Sequence, residues 1–295
     1  LVATRTFARR IGGASPVVWT WNEKLGLAIA RRRAPVAPAI LVLSLPRSGS
    51  SWVGETLGRA TNALYLREPL NQSRARGAEA DVETVFEIDE SHPPPSYYVR
   101  AAGHAFAGFP RFAPDIVTMP RQWALRRRAR ARLVIKEVNP FACEWLVREF
   151  RPRVIMLVRH PAAIAHSYWR VGWVGSSEDV WLRLGQRFAR ALSAASAVLQ
   201  GRDDARVATY EALRADPLGG FRALFEFADL RWTGADAAFV ERNDVIDPAA
   251  PATLARDGHG RGDAWRSELP PAAQADLKAG YFARSIPWYQ ADADW

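Results

Sequence analysis

Apolar residues fall into short unbroken runs along this chain. They occupy Ala39–Leu43 (AILVL), Ala63–Leu66, Arg132–Lys136 (RLVIK), Arg153–Val158 (RVIMLV) and Arg206–Thr209. Runs of that length without polar alternation read as strands buried on both faces of a parallel sheet. Between them lie stretches with helical spacing: from the loop after Leu45 through Gly58, then Phe141–Phe150, His160–Arg170, Glu178–Leu199 and Pro217–Phe227. Strands alternating with helices predict an α/β fold, a central parallel sheet flanked by helices. The prolines of Ala34-Pro-Val-Ala-Pro38 read as a connector. They divide a partly helical N-terminal extension, 1–38, from a single domain over 39–295. Residues 71–131, with Pro93-Pro-Pro95 and scattered aromatics, predict helices and loops over the sheet, where an acceptor lid would lie.

Composition narrows the class of partner. The 40 basic residues against 31 acidic ones give +9, almost all of it arginine. Such an excess favours a nucleotide, a nucleic-acid backbone or an anionic membrane surface without choosing among them. Cys143 stands alone, so no internal disulfide forms, and a reducing, cytoplasmic setting fits. No apolar run approaches the ~20 residues of a membrane-spanning helix. The chain opens on Leu rather than Met, which leaves room for an upstream segment. The cluster Arg126–Arg132 reads as a solvated face, with an acidic saccharide or peripheral contact with anionic lipid headgroups as alternatives. His92, His104, His160, His166 and His259 are scattered and do not form a metal set, so no metal is expected. The tryptophans read mainly as packing; Trp123, Trp169, Trp173 and Trp181 are those that an acceptor cleft would use.

Two loops carry the chemistry. Leu45-Pro-Arg-Ser-Gly-Ser-Ser-Trp52 joins a buried strand to a helix, where backbone N–H groups and the helix N-terminus make an anion site. Gly49 allows close backbone approach, Ser48, Ser50 and Ser51 add hydroxyls, and Arg47 adds a forked cation. A small-residue turn with a capping serine is the plainer reading. The Walker pattern is absent, since no Gly-Lys pair follows Gly49. The second loop, Val158-Arg-His-Pro161, closes another strand, and Ser167 lies eight residues after Arg159, about two helical turns on. Arg159 and Ser167 at this spacing can converge on one phosphate; an arginine ending a strand and a serine facing solvent or core is the alternative.

The segment Pro46-Arg-Ser-Gly-Ser-Ser-Trp52 resembles the 5′-phosphosulfate loop of sulfotransferases that use 3′-phosphoadenosine 5′-phosphosulfate (PAPS). Its continuation to Tyr65-Leu-Arg-Glu-Pro-Leu70 looks most like the carbohydrate O-sulfotransferase branch. Arg159 and Ser167 match the arginine and serine of the family's 3′-phosphate motif, although His160 and Ala162-Ala163 depart from it. The resemblance implies a P-loop-like fold and PAPS as co-substrate, with PAP as product. It implies that Arg47, Ser48, Gly49, Ser50 and Ser51 hold the phosphosulfate and that Trp52 stacks near the adenine. Ala208-Thr-Tyr-Glu-Ala-Leu213 is similar to a family segment that brings Tyr210 to the adenine. Arg256-Asp-Gly258 resembles, with slipped spacing, the late loop over the 3′-phosphate, leaving Arg256 and Arg261 as alternatives.

Sulfuryl transfer to a hydroxyl needs a base, charge stabilisation and in-line positioning. Glu68 is the candidate base: it ends a predicted strand, and Pro69 biases it toward extended backbone. A surface glutamate paired with Arg67 or Arg74 is the alternative. Cytosolic sulfotransferases carry a K-T-H segment, matched here by Lys136-Glu-Val138, with valine where the histidine stands. Lys136 is then expected at the sulfonate or bridging oxygen, with Arg47 steadying the leaving phosphate. Glu137 alternates to the opposite face and reads as a poorer base. The expected acceptor is a hydroxyl on a saccharide, glycolipid or glycosylated natural product, with no nucleic-acid partner. The rivals are a P-loop kinase and a non-catalytic basic module that binds nucleic acid or membrane.

Overall fold

The computed structural model describes residues 22–71, 84–175, 177–244 and 262–295. From the amino end run α1 (Glu23–Arg32), β1 (Val36–Ser44), α2 (Ser50–Gly58), β2 (Ala63–Arg67), α3 (Ser96–Phe106) and α4 (Leu125–Arg128). Next come β3 (Arg132–Glu137), α5 (Cys143–Phe150), β4 (Arg153–Val158), α6 (Pro161–Arg170), α7 (Val180–Leu199) and β5 (Ala205–Thr209). The remainder is helical: α8 (Tyr210–Ala215), α9 (Pro217–Phe227), α10 (Gly234–Asp244), α11 (Trp265–Glu268) and α12 (Pro271–Phe282).

The five strands form one parallel sheet in the order β2-β3-β1-β4-β5. Alternate residues of the strands enter two cores. Leu41, Leu43, Leu66 and Ile135 face one side, with α3, α5 and α7 over them. Ile40, Val42, Tyr65 and Val134 face the other, under α2 and α9. With both faces covered, β1 to β4 read as largely apolar runs, whereas β5, at the sheet's edge, is partly exposed. From β1 the chain goes to β2 on one side of the sheet, and from β4 to β5 on the other. The crevice above the carboxyl ends of β1 and β4 is therefore the topological switch point, where open α/β sheets bind ligands. Among the described residues no helix is long and apolar enough to cross a membrane.

Three features differ from the sequence reading. β1 begins at Val36, inside the expected connector, and a register shift between Val36 and Ile40 accommodates Pro38, which has no N–H for the ladder. The α10 and α12 helices carry weak apolar periodicity, and neither they nor the six-residue α8 was anticipated. The arginine cluster is only partly solvated. Arg126 and Arg130 are exposed, but Arg128 is 0% exposed and Arg132 is buried. Arg128 donates to the carbonyls of Ala30 and Arg33 at the end of α1 and of Ala107 and Gly108 at the end of α3. A cation there meets the negative ends of two helix dipoles at once. Burial lowers its pKa to about 10, so it stays charged. Arg132 bonds Asp229 at 2.6 Å and the Pro38 carbonyl at 2.8 Å.

Helices α7 and α12 touch through glycines. A Cβ on Gly280 would lie 2.1 Å from the Leu182 carbonyl oxygen and 2.9 Å from the Gln186 nitrogen. Gly280→Ala gains helix propensity but forces two backbones apart, and we expect a net loss of about 1–3 kcal/mol, read as a lower urea midpoint. An unchanged midpoint would mean that the pair separates without cost.

Candidate active site

The loop after β1 turns through two left-handed residues, Arg47 (φ 65) and Gly49 (φ 87). At Gly49 a side chain is excluded twice over: by the backbone angle, and because a Cβ would sit 2.5 Å from Tyr210 Cδ2. Gly49 accepts the first helical bonds of α2 from Trp52 and Val53, so the loop's end is also the helix start. Ser48 is 1% exposed, and its hydroxyl makes no hydrogen bond among the described residues. A buried hydroxyl without a partner at a helix N-terminus suits an oxyanion. Ser50 is buried at the head of the helix, while Ser51 is exposed.

The second loop arrives beside the first. Arg47 Nε donates to Ser167 Oγ at 2.8 Å across 120 residues of chain. Arg159 Nη1 donates to the Arg47 carbonyl at 3.0 Å, and its guanidinium lies 4.5 Å over the Tyr210 ring. Arg47, Ser167, Arg159, Gly49 and Tyr210 thus meet at the switch point. His160, where the related motif has an acid, caps α6 by accepting the Ala162 N–H at 3.2 Å, and Pro161 opens the helix. Its ring stacks on Trp265 at 4.5 Å, with Tyr289 and Trp295 on its edges. Burial, then Arg266, lowers its pKa to about 3, so it is neutral.

Trp52 is 5% exposed and packs edge-on against Phe221 and Tyr210 at 4.8 and 6.2 Å. It contacts the loop through Tyr210 rather than lying open in a cleft. Beside Tyr210 a cleft of about 320 Å³ is lined by Glu211, Arg214, Ala215, Gly262 and Asp263. Arg256 and Arg261 lie outside the described residues. Gly262, on the cleft's rim, follows them directly.

Glu68 and Lys136 come together one strand further along the same edge. β2 and β3 pair Arg67 with Lys136, so Glu68 rises just beyond the lysine. The Glu68 backbone is left-handed (φ 48), not extended as Pro69 suggested. Its N–H donates to the Lys136 carbonyl at 2.7 Å, and that bond turns the chain across the end of β3. The Glu68 carboxylate pairs with Lys136 Nζ through Oε1 and accepts the Asn71 amide through Oε2 at 3.1 Å. Its side chain is 12% exposed against 3% for the lysine, so the acid is the more accessible of the two. The lysine stem lies under α2: a Cβ on Gly54 would be 3.0 Å from Lys136 Cβ. The pair therefore faces the first turns of α2. Val138, at the histidine position of other branches, is buried.

Two contributors escaped the sequence reading. Glu137 does point to the opposite face, yet its Oε1 accepts the Leu70 N–H at 2.7 Å, from within the turn that follows Glu68. Glu211 accepts the His160 N–H at 3.1 Å and the Tyr289 hydroxyl, joining α8 to α6 and the carboxyl-terminal segment. Glu211 sits inside the Tyr210-Glu-Ala-Leu213 motif, so a signal was present; for Glu137 none was. Of the candidate cleft aromatics, Trp123 is buried, whereas Trp169 and Trp173 are 44% and 59% exposed just beyond Ser167.

Residues 38–234 match the sulfotransferase family. No curated protein matches the chain. It is similar to the sulfotransferase domain of the Synechococcus PCC 7002 olefin synthase, at 17% identity over 86% of this chain and 97% of that one, with a TM-score of 0.48. It is also similar to a mouse sulfotransferase complexed with PAP, at 14% identity over 94% and 93% of the two chains, with a TM-score of 0.49. A Mycobacterium avium sulfotransferase is 16% identical over 90% of this chain and 82% of its own, with a TM-score of 0.47. The matched span contains both loops, the Glu68–Lys136 pair and Tyr210, and the chain belongs to the sulfotransferase family.

Proposed function

We propose that the protein transfers a sulfuryl group from PAPS to an acceptor hydroxyl on a saccharide or glycosylated molecule. The observation that carries this reading is the bond of Arg47 to Ser167, which brings the two predicted phosphate ligands to one crevice. The residues present fit the co-substrate: among the described residues the buried Ser48 hydroxyl finds no partner, and the loop ends at the amino terminus of α2 beside Arg47. PAPS supplies the sulfuryl group and leaves as PAP. Arg47, Ser48 and the loop N–H groups through Ser51 hold the 5′ end, and Arg159 and Ser167 the 3′ phosphate, with Arg256 or Arg261 closing over it. Tyr210, backed by Trp52, borders the adenine. Residues 39–295 act as one domain in this reading, with 1–38 as an extension.

Glu68 takes the proton from the acceptor hydroxyl at a carboxylate oxygen as the oxygen bonds to sulfur. Lys136 orients that carboxylate and turns toward the sulfonate as negative charge grows on the bridging oxygen. A glutamate base with valine at the histidine position supports the carbohydrate-like branch. Trp169 and Trp173 present aromatic faces beside Ser167 that suit a sugar ring. The arginines that stay exposed, Arg126 and Arg130, suit an acidic saccharide or an anionic membrane surface. The composition fits a cytoplasmic setting.

Three outcomes test this. Arg159→Ala and Ser167→Ala each weaken PAP binding about tenfold or more by calorimetry, because a phosphate loses a charge-assisted bond; wild-type affinity in both would remove the second anchor. Transfer from labelled PAPS to p-nitrophenyl glycosides proceeds in EDTA, whereas dependence on magnesium with ATP as donor would select the kinase rival. Glu68→Gln keeps PAP affinity while single-turnover transfer falls about 10²–10⁴-fold. Activity within a few-fold of wild type would take Glu68 out of the reaction.

A further inference from the structure

Glu68 is held in a left-handed backbone conformation that non-glycine residues seldom adopt (φ 48) and that carries strain. Its turn must therefore be tied down from outside. Three bonds do so. The Glu68 N–H donates to the Lys136 carbonyl, the Asn71 N–H to the Glu68 carbonyl at 3.2 Å, and the Leu70 N–H to Glu137 Oε1 at 2.7 Å. The last comes from a side chain, and that side chain is a carboxyl only 2% exposed at the end of β3. Placing an acid there is costly. It is out of water and close to a second acid, Glu68. An apolar residue would pack against Tyr98 and Leu70 more cheaply, so the carboxyl needs a reason other than stability.

We propose that Glu137 is a positioning residue for Glu68: its carboxyl holds the Leu70 N–H from the far face of the sheet and thereby locks the left-handed turn that presents Glu68 beside Lys136. This rests on the reading of Glu68 as the base. Lys136 and Glu137 are successive on one strand and point to opposite faces, so one grips the Glu68 carboxylate and the other grips its backbone. The charged and titratable groups around Glu137 are Glu68 on the turn, Lys136 on its own strand and Tyr98 on α3. Burial, with Glu68 adding to it and the Leu70 N–H and Lys136 opposing it, raises Glu137 to about 8. At neutral pH Glu137 is thus the uncharged acid, still able to accept from Leu70 through one oxygen. Above that pH it ionises and accepts the Leu70 N–H through the same oxygen, so the lock holds in either charge state.

The test uses the full chain with Glu137→Gln, Glu137→Leu and Glu68→Gln, read by PAP calorimetry, by transfer from PAPS to p-nitrophenyl glycosides across pH, and by amide hydrogen exchange over residues 68–71. Gln keeps the acceptor for Leu70 without a titrating proton. It retains turnover within a few-fold across pH and keeps the protection at 68–71. Leu removes the acceptor. It lowers kcat about tenfold or more and speeds exchange at 68–71 by a similar factor, with PAP affinity kept. If Glu68→Gln collapses turnover but Glu137→Leu matches wild type in rate and protection, this inference fails and the base assignment stands. If Glu68→Gln turns over normally, the base assignment fails first. Loss of turnover and protection in Glu137→Gln as large as in Glu137→Leu would overturn the acceptor role of Glu137.

Discussion

Two neighbouring parallel strands, β1 and β4, send their chains to opposite halves of the sheet, and the crevice this opens above their carboxyl ends governs the rest of the site. Neither following segment can close over the crevice, so the backbone there must end in loops and helix N-termini. Those termini carry unsatisfied N–H groups and partial positive charge. Arg47 and Arg159 add full charges at the same place, and each is committed to a partner from the other loop. Arg47 bonds Ser167, and Arg159 bonds the Arg47 carbonyl. The cross-bonding fixes the distance between loops that sequence separates by more than a hundred residues. Gly49 is the complement of this arrangement, since Tyr210, held under Arg159, leaves no room for a Cβ.

The strands and the two loops were legible because their signals are local. A strand covered on both faces must be apolar at every position, and Leu41 to Leu43 and Val154 to Val158 are. A small-residue loop after such a strand needs no long-range knowledge to be recognised. What could not be read depends on partners distant in sequence. Arg128 looked like one of several surface arginines until the ends of α1 and α3 closed around it. Glu137 was set aside on strand alternation, and the alternation was right. The inference failed because the turn after β2 wraps round the end of β3 and reaches the far face. Glu68 likewise has a left-handed backbone where the following proline suggested an extended one, because the Lys136 carbonyl captures its N–H.

The polar residues along the carboxyl edge follow a common logic. Lys136, Glu137, Arg159 and His160 are all buried, which is expensive unless each finds a partner. Lys136 meets Glu68, Glu137 meets Leu70, Arg159 meets the Arg47 carbonyl and Tyr210, and His160 caps its own helix. The Ser48 hydroxyl does not follow this rule: it is buried at the loop and makes no hydrogen bond among the described residues. A folded chain tolerates such a group most readily where a ligand completes it.

We propose that this crevice grips one nucleotide at both of its phosphate ends. Calorimetric titration of the wild-type chain with PAP, adenosine 5′-phosphate and adenosine 3′-phosphate tests it directly. Two-ended anchoring predicts that PAP binds at least about tenfold more tightly than either monophosphate, because each loses one set of charge-assisted bonds. Equal affinity for PAP and one monophosphate would mean that a single loop does the binding, and would contradict the claim.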